Sequence, residues 1–437
     1  MRIRIVGGVI VDPGRYVGPG EILVADGRIA AVHRGHGPEP DAEASGPPHR
    51  ILDARQKIVT PGLVDLHVHL REPGFEHKET IASGCRAAVS GGFAAVCCMA
   101  NTKPVNDEPE VTRFILSRAE RAGLARVYPV AAVTRGLEGR ELCDHAALKA
   151  AGAAALSDDG RPLVDSRLMR RALEVGAELG LPVIAHCEDP YLAEGGVMNE
   201  GPTAAALGVQ GIPNACESIL VLRDIALSEL TGAPVHIAHV STAESVRAIR
   251  EAKARGVRVT AETAPHYFLL TEDAVRRHGA NAKMNPPLRR ARDREAVREG
   301  LADGTIDVIA TDHAPHAPHE KAAGLRAAPN GVIGLETALP LSLGLVAEGL
   351  LTIEALVEKM SINPMQILGK SFGIIPGHPA DLTVIDLEAR FVINENLIRS
   401  QSRNTPFIGM PGYGRAVATL VDGRIVYEYG KDANGGK

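Results

Sequence analysis

The chain has 437 residues, of which 45% are hydrophobic and 23% are charged, and its formal net charge is −5. This length allows a large buried core, while the interspersed charges form neither a basic face for nucleic acid nor a polybasic segment for anionic lipid. Because no apolar run approaches the roughly 18 residues of a spanning helix, and the N-terminus lacks a signal-peptide pattern, we expect a cytoplasmic protein without nucleic-acid or membrane partners.

Both ends of the chain carry short β-rich runs separated by turns. Residues 1–60 alternate such runs, with a turn at Asp26-Gly27, and predict an antiparallel sheet. Residues 35–49 are rich in Gly and Pro and predict an exposed loop. The C-terminal part repeats the β pattern at 380–387 and at 415–430, again with an Asp-Gly turn. The two ends therefore predict one small β-sandwich domain.

The middle of the chain alternates apolar runs of strand length with stretches of helical period, several of which end at Gly before the next strand. Such alternation predicts an α/β fold with a parallel sheet, and eight units over roughly 250 residues match a (β/α)₈ TIM barrel. An open doubly wound sheet is the alternative, but no GxGxxG loop follows the first strand. The predicted strands are 63–70, 93–100, 126–133, 153–159, 182–188, 235–241, 258–266 and 307–316. The predicted domain boundaries are 1–60 and 371–437 for the β-sandwich and 61–370 for the barrel.

The six cysteines are scattered without a CxxC pair. This spacing disfavours both a disulfide framework and a zinc ribbon. Cys97 and Cys98 are adjacent, so on a strand their side chains would face opposite ways and could not share one ion. We therefore expect buried free thiols.

Polar residues with metal-ligating side chains stand at the ends of five predicted strands. His67 and His69 are two apart, so on a strand both imidazoles face one side. The full candidate set is His67, His69, Asp159, His186, His239 and Asp312. In a barrel of this kind the C-terminal strand ends form the active site. Any one of these histidines could be an ordinary core residue, but their joint placement predicts a metal centre.

Four imidazoles and two carboxylates suit zinc first, with manganese, cobalt or iron after it. One ion rarely needs six protein ligands, whereas two ions bridged by a carboxylate and a hydroxide use all of them. Asp158 and Asp159 compete for the bridging role, because neighbouring residues at a strand end face opposite ways and periodicity does not choose between them.

Seven motifs together resemble the long bacterial type of dihydroorotase, within the amidohydrolase superfamily. The resemblance extends over essentially the whole chain, and the order of the motifs makes it specific. They are HVHLREPG at 67–74, ANTKPV at 100–105, SDDG at 157–160, HCED at 186–189, HVST at 239–242, KMNPPLR at 283–289 and TDHAPH at 311–316.

The resemblance implies two zinc ions and a role for each candidate ligand. The first ion would be held by His67, His69 and Asp312, and the second by His186 and His239. Asp159 resembles the bridging residue, where many relatives of dihydroorotase, such as dihydropyrimidinases and hydantoinases, have a carboxylated lysine. This sequence has no Lys there, which favours the dihydroorotase type.

Expected substrate contacts follow the same resemblance. N-carbamoyl-L-aspartate and L-dihydroorotate are anions, so their pocket needs a fixed cation, and Arg71 can offer a bidentate fork to the carboxylate. For an isolated Arg the plainer interpretation is a surface ion pair. The other family positions expected to contact the substrate are His69, Asn101, Asn285, His316, Asn330 and Gly331.

The expected activity is the reversible cyclisation of N-carbamoyl-L-aspartate to L-dihydroorotate in pyrimidine biosynthesis. In the hydrolytic direction a bridging hydroxide would attack the ring amide, and Asp312 would shuttle the proton as the catalytic residue. The alternatives are an allantoinase or hydantoinase, or a silent scaffold for aspartate carbamoyltransferase, although every ligand position is filled by a competent residue. A homodimer and a carbamoyltransferase partner both stay open at this point.

Overall fold

Two large β-sheets and a ring of helices make up the computed structural model, which describes residues 2–35 and 50–431. Of the predicted loop at 35–49, only Gly35 lies within the described residues. The first five strands are Arg2–Asp12 (β1), Tyr16–Ala25 (β2), Arg28–Arg34 (β3), Arg50–Asp53 (β4) and Ile58–Pro61 (β5).

The N-terminal strands pair partly as predicted. β1, β2 and β3 form the expected antiparallel meander, but β4 and β5 both lie parallel to β1, so the antiparallel prediction is wrong for them. Parallel neighbours need a connection of a dozen or more residues rather than a tight turn. The stretch between β3 and β4 has that length, and this signal was available in the sequence.

The central part of the chain forms a parallel barrel. Its strands stand in the order β6-β7-β8-β9-β10-β13-β14-β15, and a parallel bridge between Val68 and His313 joins the first strand to the residues after the last. All eight predicted strands are present, so the (β/α)₈ prediction is confirmed. The strands of this part are Leu63–Val68 (β6), Phe93–Cys98 (β7), Arg126–Ala131 (β8), Ala155–Leu156 (β9), Val183–Ala185 (β10), Met198–Asn199 (β11), Gly211–Ile212 (β12), Val235–Ile237 (β13), Val259–Thr263 (β14) and Val308–Ile309 (β15).

Helices follow each barrel strand and cover its outer face. Thr80 caps the first of them by accepting a hydrogen bond from Ser83 N, and Gly180 ends the fourth with a φ of 62°, which costs glycine little. Among the described helices, none is both long and apolar enough to cross a bilayer. The helices are Ile81–Ser90 (α1), Pro109–Ala122 (α2), His145–Ala151 (α3), Ser166–Leu179 (α4), Pro190–Ala193 (α5), Pro202–Leu207 (α6), Ala215–Thr231 (α7), Ala243–Ala254 (α8), Pro265–Leu269 (α9), Ala274–His278 (α10), Ala291–Ala302 (α11), Pro318–Lys321 (α12), Gly324–Ala327 (α13), Leu335–Ala347 (α14), Ile353–Val357 (α15) and Asn363–Ile367 (α16).

The C-terminal strands return to the first sheet. They are Leu382–Val392 (β16), Pro411–Val421 (β17) and Arg424–Glu428 (β18), and β16 pairs with β5, which joins both chain ends in one eight-stranded sheet. This sheet has its own apolar cluster, including Ile5, Ile22 and Leu420. The prediction of a small β domain built from both termini is confirmed. We keep the boundaries at 60/61 and 370/371 as a proposal.

Two tight turns of this sheet match the predicted Asp-Gly positions. Asp26 and Gly27 have φ values of 49° and 81°, and Asp422 and Gly423 have values of 48° and 66°. A two-residue hairpin turn of type I′ requires positive φ at both positions, which Asp and Gly tolerate. All six cysteines are buried and free, as expected.

Candidate metal centre and substrate site

All six predicted ligand residues lie together at the C-terminal end of the barrel. His67 belongs to β6 and His69 follows it directly, while the other four stand within three residues of the end of their strands. None of the six is more than 8% exposed. Six polar side chains buried at one place need partners, because an unpaired buried polar group is costly.

The backbone around this centre is strained at three residues. Arg71, His239 and Asp312 have φ values of 63°, 36° and 47°, in a region that residues with a side chain seldom adopt. Such strain persists only where the surroundings enforce it, and it concentrates at functional sites. Here all three residues stand just after a barrel strand, following β6, β13 and β15 respectively.

His67, His69 and Asp312 form the first group. His69 Nε2 lies 3.1 Å from Asp312 Oδ1, and His67 Nε2 lies 3.6 Å from the same oxygen. All three candidate ligand atoms fall within 4.8 Å of one another. This spacing is compatible with one ion held by two imidazoles and a carboxylate.

Asp159 lies between that group and the remaining two histidines. Its Oδ1 is 3.3 Å from His67 Nε2, 3.3 Å from His186 Nδ1 and 3.5 Å from His239 Nε2. Its Oδ2 is 3.5 Å from His69 Nε2. Burial favours the neutral acid, but the surrounding imidazoles outweigh it and hold the pKa of Asp159 well below its ordinary value.

The outer nitrogens of three of the imidazoles are each held by a neighbour. His67 Nδ1–H donates to Glu262 Oε1 over 2.7 Å. His69 Nδ1–H donates to Asn101 Oδ1 over 2.9 Å, and His186 Nε2–H donates to Glu188 Oε2 over 2.9 Å. Each such bond fixes the orientation of its ring, so the other nitrogen is the one available to a metal ion.

These residues fit a metal centre. His67 Nε2 and Asp159 Oδ1 are buried atoms without a hydrogen-bond partner among the described residues. His186 Nδ1 and His239 Nε2 lie 2.8 Å apart, a spacing that allows both nitrogens to bind one ion. Nitrogen and oxygen ligands with carboxylate-held imidazoles are the pattern of zinc and related ions.

Sequence reasoning missed Glu262, which is completely buried on β14. Besides His67, it accepts a hydrogen bond from His236 Nε2 over 3.1 Å. The two histidines hold its pKa below the ordinary value against the opposing effect of burial. The predicted strand 258–266 contains the polar run TAET, so a carboxylate inside a barrel strand was a signal that could have been used.

The predicted substrate residues border the centre on one side. Arg71 Nε donates to Pro315 O over 3.1 Å, and its Nη2 lies 3.3 Å from His316 Nε2. His316 Nε2–H donates to Asn330 O over 2.7 Å, while its Nδ1 accepts from Lys78 Nζ over 3.4 Å. Burial, together with the nearby cations, lowers the pKa of His316 to about 2, so its imidazole is neutral.

Positive charge gathers on this side. Burial lowers the pKa of Arg71 to about 10, which still leaves the guanidinium charged at neutral pH. Lys78 contacts His316 from the other side and is paired with Glu320 over 2.9 Å. Asn285 reaches the centre from another direction by donating to Glu188 Oε2 over 2.8 Å. A charged Arg fork next to a carboxylate–imidazole cluster is suited to bind an anion at a metal centre.

Comparison with known proteins places the chain in a family. Residues 56–245 match the family model described as Dihydro-orotase-like, and residues 226–427 match the model of the Amidohydrolase family. A dihydroorotase of Desulforapulum autotrophicum is 55% identical over 98% of this chain and 99% of its own. A dihydroorotase of Geotalea daltonii is 52% identical over 98% of this chain and 100% of its own.

Solved structures of a hydantoinase and a dihydropyrimidinase are similar in fold to this chain. The L-hydantoinase (dihydropyrimidinase) from Arthrobacter aurescens aligns with a TM-score of 0.85 and 27% identity, covering 98% of this chain and 96% of that one. The dihydropyrimidinase from Brevibacillus agri aligns with a TM-score of 0.80 and 23% identity, covering 98% and 95%, which supports the fold alone. The full-length sequence matches, together with the buried imidazole–carboxylate centre, show that the chain belongs to the dihydroorotase family of the amidohydrolase superfamily.

Proposed function

We propose that the chain catalyses the reversible cyclisation of N-carbamoyl-L-aspartate to L-dihydroorotate in pyrimidine biosynthesis. Membership of the family makes it a hydrolase of cyclic amides. The observation that carries the substrate assignment is the placement of Arg71 against His316 beside the metal-ligand cluster. Both proposed substrates bear a carboxylate that a partly buried guanidinium can bind, whereas the rings of hydantoin and allantoin bear none.

The proposed metal is zinc, with two ions per chain. His67, His69 and Asp312 would hold one ion, His186 and His239 the other, and Asp159, whose Oδ1 is 3.3 Å from both His67 Nε2 and His186 Nδ1, would bridge them. Bound zinc supplies Lewis acidity toward a carbonyl oxygen and lowers the pKa of water. Asp159 and the carboxylate partners of the imidazoles supply the negative charge that keeps such ions in place.

Asp312 is the proposed catalytic residue. In hydrolysis, a carboxylate oxygen of Asp312 takes a proton from the attacking water and gives it to the ring nitrogen as the amide bond breaks. In cyclisation the same oxygen carries the proton in the opposite direction, so that water leaves. Asp312 suits this role because it is buried and its Oδ1 lies 3.1 Å from His69 Nε2, at the edge of the proposed metal centre.

The other proposed substrate residues lie around the same space. Arg71 would bind the carboxylate, and His316 with the peptide of Asn330 and Gly331 would face the ring. Asn101 is hydrogen-bonded to His69, so it would both orient this imidazole and contact the substrate. Asn285 would reach the substrate from the side of Glu188.

A panel of substrates tests this proposal. Purified protein of measured metal content is assayed for hydrolysis of L-dihydroorotate, hydantoin and allantoin under identical conditions. We expect turnover of L-dihydroorotate and at least a hundredfold lower kcat/KM for the two uncharged rings, because about 3 kcal/mol of charge-assisted binding is lost. Turnover of hydantoin or allantoin without turnover of L-dihydroorotate would overturn the assignment.

A cytoplasmic location is proposed from the sequence. The sequence leaves open whether the chain forms a homodimer and whether it associates with aspartate carbamoyltransferase. A silent scaffold for that enzyme is the less favoured role, because all six ligand positions and Arg71 carry competent side chains.

A further inference from the structure

A segment of the terminal β domain reaches onto the catalytic face of the barrel. It consists of residues 393–410, which connect β16 to β17. Ser402 Oγ donates to Lys78 O over 2.7 Å, and Ser400 Oγ donates to the completely buried carboxylate of Glu79. The segment therefore contacts the same side of the barrel as the cationic substrate residues.

Asn404 makes the deepest contact of this segment. Its side chain is part of a residue only 4% exposed. Asn404 Oδ1 accepts from His316 N over 3.0 Å, and Nδ2 donates to Ala314 O over 3.0 Å and to Gly331 O over 3.1 Å. One side chain thus joins the chain after β15 to the chain before α14.

The chemistry of an asparagine amide matches this place closely. It offers two N–H donors and one carbonyl acceptor, and the barrel presents two carbonyl oxygens and one N–H. A carboxylate would face two carbonyl oxygens with no proton to share. A serine hydroxyl has one donor, so it would leave one of the buried carbonyls unpaired.

The three groups held by Asn404 surround one substrate contact. His316 Nε2–H donates to Asn330 O, so the side chain of His316 and the peptide between Asn330 and Gly331 are already bonded to each other. Asn404 fixes the backbone at both ends of this pair. The backbone carbonyl of Asn404 also accepts from Ile333 N over 2.9 Å, which connects the segment to the residues that follow Gly331.

We infer that Asn404 is a positioning residue of the substrate site, which places His316 and the Asn330–Gly331 peptide against the substrate ring. The inference rests on the proposed function. It assigns the terminal β domain a part in substrate binding, although its sheet contributes no side chain to the metal centre formed by the described residues. Asn404 acts through the barrel residues and need not touch substrate itself.

The test compares Asn404→Asp and Asn404→Ser with Asn394→Ala. Asn394 lies in the same segment, is exposed, and its side chain bonds among the described residues only to Val392 O and Asn396 N, so it is a control. We expect KM for L-dihydroorotate to rise about tenfold or more in both Asn404 variants, with a smaller change in kcat and unchanged metal content. Asn394→Ala should keep the wild-type KM.

A double-mutant cycle separates positioning from general stability. If Asn404 acts through His316, the double variant Asn404→Ser, His316→Ala should raise KM by less than the product of the two single-variant factors. Independent effects would give that product. Multiplicative effects, or an unchanged KM in folded Asn404→Ser protein, would overturn the inference. If Asn404→Asp does not fold, Asn404→Ser and the cycle still distinguish the two outcomes. Wild-type protein without dihydroorotase activity would instead refute the proposed function, so the two failures are distinguishable.

Discussion

Asp158 and Asp159 are consecutive, but their carboxylates point to opposite sides of the end of β9. Asp158 Oδ1 accepts from Val133 N over 2.7 Å and from Thr134 N over 3.0 Å, and burial raises its pKa to about 6. Asp159 Oδ1 faces three imidazoles instead. The structure therefore gives Asp158 a role in holding the chain after β8 and leaves Asp159 for the proposed metal bridge.

Asp159→Asn should reduce metal affinity, whereas Asp158→Asn should reduce the stability of the fold. Asp159→Asn removes the central negative charge, so we expect at least a tenfold to hundredfold loss of metal affinity, the range that even outer partners of ligands produce. Asp158→Asn should keep its metal and lower the free energy of unfolding by about 1–3 kcal/mol, because an amide NH2 then replaces the buried oxygen that accepts from Thr134 Oγ1. Metal analysis and denaturation of both variants check this. Equal metal loss in both would contradict the assignment.

Glu262→Gln should weaken metal binding from outside the ligand set. Glu262 holds His67 and His236 at once, and an amide, which has no charge, can accept from only one of them. We expect metal affinity to fall about 10- to 100-fold, with activity restored in part at high zinc concentration. The exposed Glu251 on α8 offers a matched control as Glu251→Gln. Unchanged affinity in Glu262→Gln would show that the orientation of His67 does not depend on it.

Asp312→Asn should bind metal but turn over poorly. The amide keeps one oxygen near His69 Nε2, yet it cannot take up and return a proton. We expect kcat to fall by about 10²–10⁴-fold, the usual worth of a general acid–base group, with metal content close to that of the wild type. Steady-state kinetics on metal-analysed protein measures this. Wild-type kcat would remove Asp312 from the proton transfer.

Arg71→Lys tests the planar fork rather than the charge. Lysine keeps a cation but cannot bind a carboxylate with two parallel N–H groups, nor donate to Pro315 O from an Nε position. We expect KM for L-dihydroorotate to rise about tenfold or more, with a smaller change in kcat. Arg113→Lys, on the exposed face of α2, is the control. An unaffected KM would place the carboxylate elsewhere.

Lys321 should make the stability of the protein depend on pH. It is buried, and its Nζ donates to Ala280 O, Lys283 O and Pro329 O. Burial, with the nearby Lys283 and Arg71, lowers the pKa of Lys321 to about 7, from an unfolded value of 10.5. Between these values the unfolded state holds the extra proton, so this group makes the free energy of unfolding increase with pH.

The measurement compares wild-type protein, Lys321→Met and the exposed control Lys370→Met by denaturation from pH 6 to 10. The stability of the wild type relative to Lys321→Met should increase above pH 7 and stay level below it. The loss of the three hydrogen bonds lowers the free energy of unfolding of Lys321→Met by the same amount at every pH, so it does not change the slope of stability against pH. A difference independent of pH would mean that Lys321 keeps its proton throughout the range.

The sequence predicted the barrel well because its strands are apolar runs broken by helical periods, and both patterns are local. His67, His69 and Asp312 were found because six such side chains stand at the ends of predicted strands, and their joint placement has few explanations other than function. The terminal sheet was harder. β4 and β5 pair parallel to β1 across a long connection, and strand runs alone do not give the direction of pairing.

The residue roles that the sequence could not predict depend on contacts between distant segments of the chain. Asp158 and Asp159 were indistinguishable because the outcome rests on which of them meets Val133 and Thr134. Asn404 bonds to His316 across 88 residues and lies outside the barrel, where no period or strand end marks it. The roles of such side chains can be assigned only from the folded structure, in which their partners lie close together.

Removal and return of metal tests the central proposal most directly. Protein stripped of metal by a chelator is titrated with zinc while hydrolysis of L-dihydroorotate is followed. We predict that the stripped protein is inactive and that activity rises to a maximum at about two zinc ions per chain, as expected for a two-metal site. Full turnover of L-dihydroorotate by metal-free protein, or no turnover at any zinc concentration, would contradict the proposal of a zinc-dependent dihydroorotase.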